Sequence, residues 1–173
     1  NSDGVSVGSD GGYNGSGQGM VLWAWDGGTS TVSNTDGSIT SNVRANPSAG
    51  FSIATYLGDG SGTANTDSGD SFGHGLNAAP DLVICKKRSG VNGWPVYHSA
   101  TALGALNLSS TGALDTGSYL FAQQHPSSSV VYLGNNPEIN KTGDTYVAYC
   151  FASVAGYSAF GSYTGNGSSD GPF

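Results

Sequence analysis

The side chains able to do chemistry in this 173-residue chain are three histidines, twelve acids, and a scatter of serines, tryptophans and tyrosines. His74, His98 and His125 are too far apart for HxH or HxxxH spacing, so no two imidazoles are preset to share a metal. Asp81 and the many serines leave a Ser–His–Asp set formally open, but no GxSxG turn raises a serine as a nucleophile. Glu138 is the only glutamate, so glycosidase chemistry with two carboxylates would have to rest on aspartates. The expectation is a protein that is not an enzyme.

Two binding chemistries remain. Asp59, Asp67 and Asp70 lie in one polar stretch with Asn65, and hard oxygen donors of this kind suit Ca²⁺. Their spacing is not that of the Dx[DN]x[DN]G loop, and Asp and Asn are also ordinary turn residues. No other cofactor is expected. Trp94, Tyr97, Tyr119 and Tyr132 are candidate platforms for a glycan, with Asp and Asn nearby to take its hydroxyls. The competing role for the same rings is core packing. Asn14, Asn107, Asn140 and Asn166 head Asn-x-Ser/Thr sequons, which in a glycosylated protein would mark exposed loops.

The bulk composition narrows the partners. The net charge is −7 and only 10% of residues are charged, which disfavours nucleic acid, since phosphate contacts need Lys and Arg. Lys86, Lys87 and Arg88 form the only basic cluster, read as the solvated end of a strand. No apolar run approaches the roughly 20 residues of a membrane span, so no membrane insertion is expected. A virion-surface or extracellular location suits this acidic, lysine-poor balance. The chain opens at Asn1 without Met, as a processed or partial chain would. Cys85 and Cys150 each fall inside an apolar strand; a disulfide requires those strands to be neighbours at the right separation.

The elements that would position these residues are short strands with Gly-rich turns; 29 residues are glycine. Apolar spacing marks strands at 51–57, 94–98, 105–108, 129–133 and 145–152, and the continuous apolar run LVIC marks one at 82–86 that is expected to be buried on both faces. Residues 20–25, MVLWAW, form another, with Trp23 and Trp25 on one face. Weaker strands are expected near 5–8, 30–32, 38–43, 118–122 and 158–164. Residues 58–70 read as a loop, and Asp36-Gly37 as a tight turn with positive φ. Pro95 argues for an edge or a bulge. No segment carries a sustained 3.6-residue period, although 100–106 can make one helical turn. Nine to eleven short strands without helices predict an all-β fold, an antiparallel β-sandwich of concanavalin-like or jelly-roll-like type.

The sequence also repeats itself. Gly8, Asn14, Gly17 and Val21 recur as Gly134, Asn140, Gly143 and Val147, and Trp23 and Trp25 recur as Tyr149 and Phe151, all at an offset of 126. Ala49-Gly50-Phe51-Ser52 recurs as Ala155-Gly156-Tyr157-Ser158 at an offset of 106. The chain therefore reads as a window on a longer array. Residues 1–26 end a preceding repeat or supply a joining strand, 27–48 form a Ser/Thr/Asn-rich connector, 49–155 form the main sandwich, and 156–173 begin the next repeat.

Several phrases, GFSIATY, GHGLNAAPDLVICKKR, WPVYH, VVYLG, TGDTYVAYCFA and GYSAFGSYTGNGSSDGPF, resemble a repeat domain of uncharacterised function. That domain occurs in virion structural and tail-fibre-like proteins of tailed phages, notably marine and cyanobacterial ones. The resemblance covers nearly all of residues 5–173. It implies a β-rich structural module of a particle, whose partners are copies of itself or other virion proteins. It carries over no catalytic residue. Where the family often has an aliphatic side chain in the LVIVK-type strand, this chain has Cys85. Two further readings stay open: a glycan-binding module for host attachment, and a subunit of a microbial extracellular filament.

Overall fold

A computed structural model describes residues 4–60, 67–117 and 119–171, with side chains at all of these except 67 and 68. Nine strands occur among the described residues: β1 (Thr31–Asn34), β2 (Ser41–Asn46), β3 (Phe51–Leu57), β4 (Asp67–Gly73), β5 (Leu82–Lys87), β6 (Pro95–His98), β7 (Leu106–Asn107), β8 (Val130–Gly134) and β9 (Thr145–Phe151). The only helices described are α1 (Gly11–Asn14) and a 3-10 turn at Pro47–Ala49. Seven strands form one sheet in the order β1-β2-β3-β9-β5-β6-β7, and β4 pairs with β8 in a second. Every ladder is antiparallel. The smaller sheet and its flanking loops cover one face of the larger, so the fold is a lopsided β-sandwich.

Side-chain alternation decides which face is covered. In β9, Tyr146, Ala148 and Cys150 are buried while Val147, Tyr149 and Phe151 are only partly so. The register aligns Tyr56 with Tyr146, Ala54 with Ala148 and Ser52 with Cys150 on the inner face. Cys85 lies opposite Ala148 and Val83 opposite Cys150, extending that face across β5. Phe72, Val131, Leu133 and Ile139 close over it from the second layer. Tyr56 is stacked between Phe72 (4.6 Å, 13°) and Tyr146 (5.3 Å, 16°). Its hydroxyl donates to the Ile139 carbonyl at 2.8 Å, so the ring is buried without orphaning its polar tip.

Turns join the strands by close backbone approach. Gly50 has φ 65° and lies against the Ala152 carbonyl, where a Cβ would collide. This is the turn that delivers Phe51 to the start of β3. Asp36-Gly37 does not make the expected positive-φ turn. Gly37 is needed instead because Ser71 packs against its α-carbon, and the neighbouring Ile39 N–H donates to the Ser71 carbonyl at 2.9 Å. Asn34 caps the turn by accepting from the Asp36 N–H at 2.9 Å.

Several local expectations are corrected. Residues 5–8, 20–25 and 158–164 form no strand; the last of these holds one isolated bridge, Val154 to Ser158. The apolar pattern of 20–25 is present, but a strand also needs a hydrogen-bonding partner, and none pairs with this segment among the described residues. Residues 119–122 turn instead of extending, with positive φ at Tyr119 and Ala122; Ser118, at the start of the expected strand, lies outside the described residues. The expected loop 58–70 becomes strand from Asp67, with a register shift between Asp67 and Asp70 and Gly69 at φ 72°. The stretch 27–48 supplies β1 and β2 to the main sheet. Pro95 opens β6 at a position that pairs only with Asn107 of β7 and needs no N–H towards β5. Residues 100–103 form turns and bends, not a helix, Ala105 bridges Asp115, and Leu106 opens β7.

Candidate functional site

The outer face of the large sheet is as apolar as the inner one at its centre. The register lines up Ile53, Tyr149, Ile84, Val96 and Leu106 in one cross-strand row, and Phe51, Phe151 and Leu82 in the next. Among the described residues no second sheet covers it. The N-terminal segment does so in part: Trp25 packs on Phe51 at 5.9 Å and on Phe151 at 5.6 Å, the latter edge-on. Phe51 and Phe151 meet at 4.9 Å, and Phe160 from the C-terminal segment reaches Phe151 at 6.2 Å. Trp23, Trp25, Trp94 and Leu108 wall a hollow of about 550 Å³ over Ile53, Ile84 and Tyr149. A second hollow of about 410 Å³ opens between Trp25, Tyr157 and Phe160. Trp23 is 76% exposed and Trp25 54%, so this face holds most of the molecule's unburied tryptophan.

The expected glycan platforms are dispersed. Tyr97 belongs to the core at 2% exposure, and its hydroxyl hydrogen-bonds His125 Nδ1 at 2.7 Å. Burial, followed by the Asp81 charge, pushes its pKa up to about 12. Tyr119 and Tyr132 are partly buried. Trp94 alone borders the apolar hollow, with the Lys86 ammonium 5.4 Å from its ring centre. Sequence reasoning thus missed Trp23 and Trp25 as site residues. Their alternation was visible, but it was assigned to a strand. A further cleft of about 680 Å³ has a mixed lining, with Asn92, Asn107, Asp115, Asn136 and Glu138 beside Leu106, Leu120 and Pro137. It brings together two carboxylates, which can accept from sugar hydroxyls, and three amides, which can donate or accept.

Of the calcium candidates, Asp59 and Asp70 both bond to Asn140. Asp59 is exposed, and its N–H donates to Asn140 Oδ1 at 3.0 Å. Asp70 is buried and accepts from Asn140 Nδ2 at 2.8 Å. Asn65 and the Asp67 side chain lie outside what is described. Among the described residues no group of three or more His, Cys, Asp or Glu could hold a metal ion. Asn140 is fully buried and ties β4 to the 58–60 turn, so this sequon does not mark an exposed loop.

His74 and the two cysteines serve the core. His74 is fully buried; its Nδ1 accepts from the Leu76 N–H at 3.3 Å, and its Nε2 faces the Ser127 carbonyl at 3.2 Å. That pattern fits a neutral ring protonated at Nε2, and burial lowers its pKa, opposed in part by the Ser127 carbonyl. Cys85 and Cys150 are free, on adjacent strands but two residues out of register. Burial pushes the Cys85 thiol up to about 12, and that of Cys150 higher, with Cys85 itself adding to the latter. Neither is a nucleophile at neutral pH. No helix of the described residues is long and apolar enough to cross a membrane.

Fold and site together define a β-sandwich domain with one sealed face and one half-open apolar face. The chain belongs to the DUF7483 family, a domain of unknown function, whose match spans residues 1–173. No curated protein and no solved structure matches it.

Proposed function

We propose that this domain is a non-enzymatic structural module of a tailed-phage virion, part of a tail fibre or other particle-surface protein, that associates with copies of itself or with neighbouring virion proteins. The observation that carries this reading is the apolar outer face, where exposed Trp23 and Trp25 lie over Phe51 and Phe151. Patches of this kind mark surfaces that a partner covers. A second support is β1, an exposed strand at the edge of the large sheet whose outer backbone groups can take another strand. The sequence resemblance points to the same particle context. Sedimentation velocity over a concentration series is the test. Assemblies larger than one chain that dissociate on replacement of Trp23 are expected; a strictly monomeric protein overturns the reading.

A second reading, a glycan-binding module for host attachment, is favoured by the cleft around Asp115 and Glu138. Binding to a glycan array that disappears on Asp115→Ala supports it, and no binding by the intact chain counts against it.

A further inference from the structure

The two terminal segments that lie on the outer face resemble, in the placement of valine, aromatic and Ala-Gly residues, two strands that pair elsewhere in the fold. Residues 20–25, MVLWAW, match YVAYCF of β9 at an offset of 126. Residues 155–158, AGYS, match AGFS at the entrance to β3 at an offset of 106. Beyond them Tyr163, Gly165 and Gly167 match Tyr56, Gly58 and Gly60 at 107, so the later copy carries one extra residue between Ser158 and Tyr163. Inside the fold β3 and β9 are central neighbours, with Phe51 opposite Phe151, Ser52 opposite Cys150 and Tyr56 opposite Tyr146. Transferring that register places Tyr157 opposite Trp25, Ser158 opposite Ala24 and Tyr163 opposite Met20. The extra residue is of the kind a β-bulge absorbs.

We propose that residues 20–25 of one copy pair antiparallel with residues 157–163 of a second copy of this chain, in the register that β9 and β3 keep within each copy. This rests on the self-associating reading above and names the surfaces that join. Neither segment has a ladder among the described residues beyond the Val154–Ser158 bridge. Their large side chains are left in water: Val21 is 78% exposed, Tyr157 73% and Tyr163 82%. Neither segment carries a charged side chain, so nothing repels the pairing. Within one chain the two segments border the same hollow, at Trp25 and Tyr157, yet form no bridge with each other. The backbone of 20–25 carries no ladder bond among the described residues; in the other segment Tyr157 and Ser158 bond to Val154, so pairing with a second copy exchanges the Val154–Ser158 bridge for the new ladder. The joined pair would lie against the Phe51–Phe151 cluster and bury the tryptophans that the single copy leaves exposed.

Disulfide trapping tests the register. Chains carrying Ala24→Cys are mixed with chains carrying Ser158→Cys under mild oxidation and run on a non-reducing gel. Cys85 and Cys150 are fully buried and supply no competing thiol. The linked heterodimer should exceed that from Ala24→Cys with Ala159→Cys about fivefold, because the adjacent residue points to the other side of the ladder. Equal yields, or cross-linking only within a doubly substituted single chain, overturn the pairing. Because Ser158 also accepts from the Val154 N–H, a second measurement leaves it intact. Trp23→Ser should weaken self-association at least about tenfold in sedimentation, and an unchanged association constant overturns the proposal. Copies that associate without the register-specific cross-link retain the structural-module reading and remove this one. A chain that stays monomeric at every soluble concentration removes both.

Discussion

The two faces of the seven-stranded sheet carry similar side chains and have different fates. Inside, Tyr56, Ala54, Cys150 and Val83 are sealed by the β4–β8 layer and interleaved aromatics. Outside, Ile53, Ile84 and Tyr149 remain only partly covered by segments with no regular structure, although Trp25 helps bury Phe51. Apolar burial stabilises at about 25 cal/mol per Å² wherever it occurs, so the open face holds stabilisation that a single copy does not collect. The difference separates residues that make the fold from residues that the proposed self-association would cover.

The contrast predicts a graded set of effects. Phe72→Ala removes the ring stacked on Tyr56 and leaves a cavity in a sealed core; it should cost about 3–5 kcal/mol. The urea midpoint should drop with an unchanged slope, and a small loss would mean the inner face is not the one that holds the fold. Asn140→Ala strips the hydrogen bond from buried Asp70 and the cap from the 58–60 turn, at about 2–3 kcal/mol in the same assay. His74 gives a pH signature of the inner layer. Its native pKa is depressed, so the folded protein keeps it neutral while the unfolded chain takes up a proton from about pH 6.5 downward. Stability should thus be fully present above that pH and fall as pH drops through it, until the native ring also protonates. His74→Gln should flatten this part of the profile in thermal melts recorded from pH 7.5 to 5, a range chosen around the ordinary histidine value. The smallest effect on stability belongs to the outer face. Ile53→Ser should cost less than about 1 kcal/mol of unfolding free energy, because the residue is only partly buried, while measurably reducing the sedimenting mass.

Much of the sheet was legible from alternation. The limits of β3 at 51–57 follow from apolar spacing and those of β5 near 82–86 from its continuous apolar run, and the two-sided pattern of β9 separates Tyr146, Ala148 and Cys150 from their neighbours as observed. β4 was not legible, because DSGDSFG has the composition of a loop; it is a strand only because β8 supplies its ladder. The candidate site was half legible. Trp94 was singled out, but Tyr97, three residues on and therefore on the opposite face, points into the core, and the partner strand β5 fixes which face that is by setting Tyr97 opposite Val83.

The sequence by itself determined an all-β chain, its central strands and the recurrence that ties 20–25 to β9 and 155–158 to β3. It could do so because period-two alternation and glycine placement are local properties of the chain. Tertiary structure alone decided which face of each strand is covered, that Asp70 is tied to Asn140, and that two strand-like segments lie unpaired across an apolar face. Those outcomes depend on which distant backbone supplies a partner, and a hydrogen-bonding partner is not encoded in the segment that needs it.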